Sequence, residues 1–133
     1  MGKKMATMIV KTVPIPKARP RVTRSGHAYT PDKTAIYEKL LASSWNGGIV
    51  EGKYLMASMR FGLPIPKSWS KSRRSLSDGK PHTSKPDLDN LEKAALDALN
   101  GIAYADDAVV ATIIAEKVYA LDPFVEITIS GGK

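Results

Sequence analysis

Apolar residues recur along this chain in two rhythms, and the switches between them mark its elements. MATMIVKTV, residues 5–13, is rich in β-branched residues and predicts a strand. PDKTAIYEKLLASSW, residues 31–45, places Ile36, Leu40 and Leu41 at helical spacing with Tyr37 beside them. Thr30-Pro31 suits the start of that helix and Asn46-Gly47-Gly48 its end. YLMASMRFGL, residues 54–63, predicts a second strand. In residues 89–100 the helical rhythm returns, with Leu88, Leu91, Ala95 and Leu99 on one stripe and Asn100-Gly101 as the stop. Residues 108–120 and 124–130 predict two closing strands, split by Leu121-Asp122-Pro123. The order is β-α-β-(α)-α-β-β, with no repeat and no linker, which predicts one domain over residues 1–133.

Two segments break both rhythms. Residues 14–32 hold Pro14, Pro16, Pro20 and Pro31 together with Lys17, Arg19, Arg21, Arg24 and His27, and read as a long loop. Residues 64–86 are rich in proline, serine and basic residues. A short helix over 67–75 fits there, and so does a solvated basic turn anchored by Trp69.

Charge divides the chain. Residues 1–85 carry 17 Lys/Arg against 4 Asp/Glu, and residues 86–133 carry 3 against 9, giving the net +7. A basic body suits a polyanion such as nucleic acid. With no cysteine, thiol catalysis, disulfides and zinc-thiolate sites are excluded, and His27 and His82 have no zinc-ligand spacing. No apolar run approaches the roughly 20 residues of a membrane span. Lys11 cuts short the only stretch resembling a signal peptide. A cytoplasmic protein is expected.

The acidic minority is concentrated. Asp87 and Asp89 precede the second helix, Lys93 follows at i+4 from Asp89, and Asp106-Asp107 precede the next strand. Asp89-x-x-Glu92 fits a capping box, which would account for Asp89 but not for Asp87. Like charges this close are costly unless a cation lies between them. Magnesium takes hard oxygen ligands and keeps several waters, so one to three carboxylates suffice. An Asp at the start of the next strand joins the pair if that strand lies beside the helix N-terminus. Lys93 is either half of a surface ion pair with Asp89 or a cation aimed at a scissile phosphate.

These residues resemble a family. KPDLDNLEKAALDALNG, followed by ADDAVV, is similar to the signature block of the RusA family of Holliday-junction resolvases, known from bacteria and their prophages. PIPKARPRVTRSGHAYTP and PKSWSKSRRS resemble its basic segments. The resemblance implies an α/β (α+β) fold, with a mixed sheet of about four strands and helices packed on it. It implies a homodimeric endodeoxyribonuclease that needs Mg²⁺, with Mn²⁺ as a substitute, and resolves four-way DNA junctions by paired symmetric cuts in recombination and repair. Its essential aspartates map onto Asp87, Asp89 and one of Asp106-Asp107, where Asp107 fits the motif better. Its catalytic lysine maps onto Lys93.

The basic segments then face converging phosphates, which supply most of the affinity for such a substrate. Lys17, Arg19, Arg21, Arg24, Lys67, Lys71, Arg73, Arg74 and Lys85 are the candidate contacts. Tyr29 and Trp69 either stack on bases at the crossover or anchor their loops. A C₂ dimer would match the two-fold of the junction, with residues 5–13, residues 124–130 and the helix at 31–45 as candidate surfaces. The alternatives are a non-catalytic binder of branched or single-stranded DNA and a ribosomal-type RNA-binding protein. The latter has no need of the clustered aspartates.

Overall fold

The computed structural model describes residues 4–17, 21–22, 28–29 and 32–133, the two short pairs as backbone alone. Four strands form one mixed sheet: β1 (Met5–Val10), β4 (Tyr54–Pro64), β5 (Val110–Ala120) and β6 (Phe124–Gly132), in the order β1-β6-β4-β5. β6 lies between β1 and β4 and is antiparallel to both, whereas β4 and β5 are parallel. With α1 (Asp32–Ser44), α2 (Lys71–Ser77) and α3 (Leu88–Leu99) this is the expected fold class. Two further short strands, β2 (Arg21–Val22) and β3 (Ala28–Tyr29), pair with each other inside the segment expected to be loop.

Alternation decides which face of the sheet is covered. Leu55, Ala57, Met59, Phe61 and Leu63 of β4 point inward, as do Val125, Ile127 and Ile129 of β6. α3 lies on that face through Leu91, Ala94, Ala95, Ala98 and Leu99, and its three alanines let the helix approach closely. Leu88, expected in the stripe, is only partly buried at its edge. α1 packs beside α3 on only part of the stripe expected from its sequence. Thr34, Tyr37 and Leu41 are buried, while Ile36 and Leu40 face out. A residue with both apolar and polar character, such as Thr34 or Tyr37, carries no clear inside-outside signal in the periodicity.

Partner strands set the element ends. β1 was expected to reach Val13, but β6 begins at Phe124, so Val10 opposite Val125 is the last residue with a ladder partner. β5 starts at Val110 rather than 108, because residues 107–109 form a short 3₁₀ turn. The turn 121–123 then carries the chain from β5, on one side of β4, to β6 on the other. Gly62 of β4 makes room for that crossing, since a Cβ there would overlap the Phe124 ring.

A last segment edges the sheet. Gly79 N–H donates to Tyr119 O at 2.7 Å, Tyr119 N–H to Lys80 O at 2.9 Å and His82 N–H to Lys117 O at 3.0 Å. Residues 79–82 therefore cover the outer edge of β5 from 117 to 119, just before the chain turns into α3.

Gly131 tests the packing of β6. A Cβ there would run into the backbone carbonyl of Glu51, which has no rotamer by which to yield. Gly131→Ala should lower the unfolding free energy by about 1–3 kcal/mol, the usual range for overpacking, measured by urea titration.

Candidate nuclease site

The carboxylates begin at the N-terminus of α3. Leu91 N–H donates to Asp87 O at 3.3 Å, so Asp87 occupies the cap position and Asp89 lies within the first turn. This corrects the expected Asp89–Glu92 capping box, because the cap falls two residues earlier, at Asp87. The Asp87 side chain makes no capping bond and accepts instead from Lys85 Nζ at 2.8 Å. That hydrogen bond, and then the Lys85 charge, hold the Asp87 carboxyl below its usual range. Asp89 Oδ1 accepts from Asn90 N–H at 3.0 Å, where the positive end of the helix dipole favours an anion. Both carboxylates are exposed.

The loop before them is held from the sheet. Lys117, on β5, donates from Nζ to Pro86 O at 2.7 Å and also to Ser84 O. One ammonium thus ties down the carbonyls on either side of Lys85, directly ahead of Asp87. His82 lies buried against Tyr119, ring centroids 4.6 Å apart; burial first, and then the Lys117 charge, push its imidazole below the ordinary histidine value. Trp69 packs on the same tyrosine at 5.3 Å, and the Arg73 guanidinium sits 3.6 Å over the indole. Trp69 is therefore a half-buried anchor with Arg73 against its ring, which weighs against base stacking on that ring face. The helix around it is α2, capped by Ser70 at Arg73 N–H, rather than the expected 67–75. Lys67, Lys71 and Arg73 are exposed and Arg74 is half-buried.

Lys93 pairs with a partner other than the one expected. Its Nζ reaches Asp97 Oδ1 at 2.8 Å, one turn further along α3, and not Asp89. Asp97 Oδ2 also takes Lys17 Nζ at 3.1 Å, and Lys17 pairs with Glu38 of α1 at 2.8 Å. Burial opposes the charge of Asp97, but the hydrogen bonds from Lys93 and Lys17 win and its carboxyl is lowered. Burial likewise works against the Lys17 ammonium, and Glu38 and Asp97 outweigh it, raising its value. Lys17, named above as a phosphate contact, is thus committed to joining α1 and α3. Its N–H donates to Asn90 O at 2.8 Å, which starts the first basic segment at the first turn of α3. Arg19 and Arg24 lie outside the described residues, and Arg21 and Tyr29 are described in backbone only.

The last carboxylates lie at the other end of α3. Asp106 caps the 3₁₀ turn, accepting from Ala108 N–H at 3.3 Å. Asp107 N–H donates to the side chain of Asn100, the C-cap of α3, at 3.1 Å. Burial, then the charges of Asp107 and Asp97, push the Tyr104 phenol up. Since Asp106 is occupied as a cap, Asp107 is the freer carboxylate. But β5 starts beside the C-terminus of α3, not beside its N-terminus as the three-aspartate site required. From Asp89 to Asn100 the axis rises about 16 Å at 1.5 Å per residue. No group of three or more potential ligands is assembled among the described residues.

The chain matches the endodeoxyribonuclease RusA family model over residues 11–130. It belongs to the RusA family. It is also 31% identical over 126 residues to the uncharacterized protein YqaN of Bacillus subtilis strain 168, covering 87% of this chain and 89% of that one. Membership makes the chain a nuclease by family, and Asp87, Asp89, Lys93 and Asp107 all lie within the matched span. Reasoning on the sequence missed Lys117, Asp97 and Asn100. The signal for Lys117 was the charged pair Glu116-Lys117 inside an otherwise apolar strand; Asp97 looked like an ordinary surface residue of a helix, and Asn100 only like the helix stop.

Asp97 gives a pH test. Its folded value is depressed, so its contribution is complete above the unfolded carboxylate value of about 3.9 and is lost as pH falls through the lower folded value. Asp97→Asn should cost about 1 kcal/mol at pH 7, a charge-assisted bond discounted for partial exposure. Thermal melts of variant and parent should differ at pH 7 and converge only below about pH 3.9.

Proposed function

We propose that the protein is a Mg²⁺-dependent endodeoxyribonuclease, with Mn²⁺ as a substitute, that resolves Holliday junctions as a homodimer in DNA recombination and repair. The observation that carries this reading is the placement of Asp87 and Asp89, exposed at the start of α3, with Lys93 one turn beyond and the first basic segment starting from Asn90. The donors are all hard oxygens on an exposed ledge, which suits magnesium and its retained waters. Asp87 and Asp89 would hold the ion together with Asp107. Because α3 separates Asp107 from the other two, the third ligand is the partner subunit's Asp107. When bound, the ion supplies Lewis-acid stabilisation of a phosphoryl oxygen and lowers the pKa of a water.

The chain's own groups do the rest. Lys117 fixes the loop that aims Asp87. Lys93, exposed and tethered only by a surface pair, is placed to meet charge developing on the phosphate. Lys67, Lys71, Arg73, Arg74 and Lys85 offer further phosphate contacts, and the two sites of a C₂ dimer provide the two cuts. The alternative, a binder of branched DNA that does not cut, leaves a labelled junction intact when Mg²⁺ is added.

Asp87→Asn, Asp89→Asn and Asp107→Asn should each abolish junction cleavage, while gel-shift binding holds or tightens as repulsion from the phosphates falls. Loss of binding together with cleavage in folded variants would count against the metal assignment. Coexpressed Asp87→Asn and Asp107→Asn chains provide a sharper test. A shared site leaves one intact centre in each mixed dimer, so single-strand nicking returns; a site within one chain leaves none.

Lys93→Ala should slow turnover by two orders of magnitude or more with little loss of stability, since an exposed i,i+4 pair contributes only about 0.3–0.5 kcal/mol. Single-turnover cleavage and a thermal melt measure the two effects separately. An unchanged cleavage rate would leave Lys93 with only its ion pair to Asp97.

A further inference from the structure

A cleft of about 390 Å³ opens beside the loop that leads to Asp87. Among the described residues it lies between the chain leaving β1, the end of β4, the start of α1 and the loop at 82–86. Its walls include Pro14, Pro16, Pro64 and Pro86. Proline rings are stiff and lose no side-chain freedom on contact, so they present a ready-made apolar surface. The volume is at the small end of the roughly 300–1,000 Å³ of small-molecule sites, which suits one compact ligand.

Charge narrows the choice of ligand. Lys33, exposed in the first turn of α1, and Lys85, exposed ahead of Asp87, both line the cleft, and no carboxylate does among the described residues. Lys33 joins no carboxylate among those residues, and Lys85 joins only Asp87. His82 lines the cleft too. It is 8% exposed, and its Nδ1 is buried with no hydrogen-bond partner. Buried polar groups are nearly always paired, so an unpaired one here marks a place where a polar ligand is missing. An apolar slot under two cations, with a polar group at its side, matches a flat heterocycle carrying an anionic tail. That is the chemistry of a nucleotide.

We propose that one nucleotide of the bound DNA leaves its stack and lodges in this cleft, its base between the prolines and its phosphate on Lys33 and Lys85. The proposal rests on the nuclease reading above. Position supports it: Lys85 and Pro86 wall the cleft, Asp87 follows directly, and Lys117 holds the Pro86 carbonyl in place. Extruding a base is costly, and least so where pairing is already disturbed, as at the exchange point of a junction. A base seated here would stop the strand from sliding and fix the phosphate presented to Asp87 and Asp89.

His82 can report the occupant. The chain has two histidines, so His27→Gln leaves one imidazole in a ¹⁵N spectrum. Without metal, a single-stranded deoxytrinucleotide should shift the His82 resonances saturably. The same trinucleotide with an abasic middle residue should bind about tenfold more weakly, since base contacts carry much of such binding. Val13→Trp, from a position 43% exposed, would fill the cleft and should remove the shift. Lys33→Ala, at an exposed position, should weaken binding and keep the parent's thermal melt. Equal binding of the intact and abasic trinucleotides, or no shift at His82, overturns the lodged base; so does an undiminished shift in folded Val13→Trp. In a junction bound by the Asp89→Asn chain, 2-aminopurine at one position flanking the exchange point should brighten, and Val13→Trp in the same chain should keep it dark. A parent chain that cuts the junction while 2-aminopurine stays dark at every flanking position retains the nuclease and loses the cleft. A saturable, base-dependent shift in a chain that cuts nothing keeps the cleft and removes the nuclease reading.

Discussion

The burial of α3 against the sheet is the constraint on which the rest depends. Leu91, Ala94, Ala95 and Leu99 are fully buried, so the helix can neither slide nor rotate without opening the core. Everything attached to it inherits that rigidity. Asp87 and Asp89 leave from one end, Lys93 from the middle, and Asn100, holding Asp107, from the other. The same packing that stiffens the carboxylate ledge fixes the separation between Asp89 and the Asn100 end of the helix.

Electrostatics around this helix are organised by lysines acting inside the protein. Lys117 serves two carbonyls, Lys17 joins Glu38 to Asp97, and Lys85 meets Asp87. Net positive charge is therefore a poor guide to which residues touch DNA. Exposed cations with few partners, Lys67 and Lys71 among them, lie in the second basic segment, while Lys17 is fully engaged within the fold. A basic chain of this kind uses part of its charge as internal scaffolding for the acidic site, which would otherwise repel itself.

Much of the fold was legible because strands and helices declare their periods. β4, β6 and α3 fell within two residues of expectation, since alternation in the strands and a strong apolar stripe in the helix leave little choice. α1 was found with Tyr37 and Leu41 on its buried face as expected, but Thr34 takes the place that the apolar Ile36 and Leu40 suggested, because a threonine is ambivalent. The order of the sheet could not be read: that β5 lies parallel beside β4, with β6 on the far side, is set by a three-residue turn and the space at Gly62. For the same reason, the aspartates were legible as residues but not as a constellation. Their spacing in sequence does not reveal that one lies beyond the far end of the helix.

The Lys85–Asp87 contact bears on what metal binding at this carboxylate would mean. Any divalent cation that takes Asp87 Oδ1 takes it from an ammonium group already 2.8 Å away. Loading would then be an ion exchange, not the filling of a bare anionic site, and its apparent strength would be the difference between two attractions. The ammonium, on a side chain 85% exposed, would be released if the carboxylate took a metal ion. Capture of such an ion and liberation of a mobile positive charge beside it would be one event.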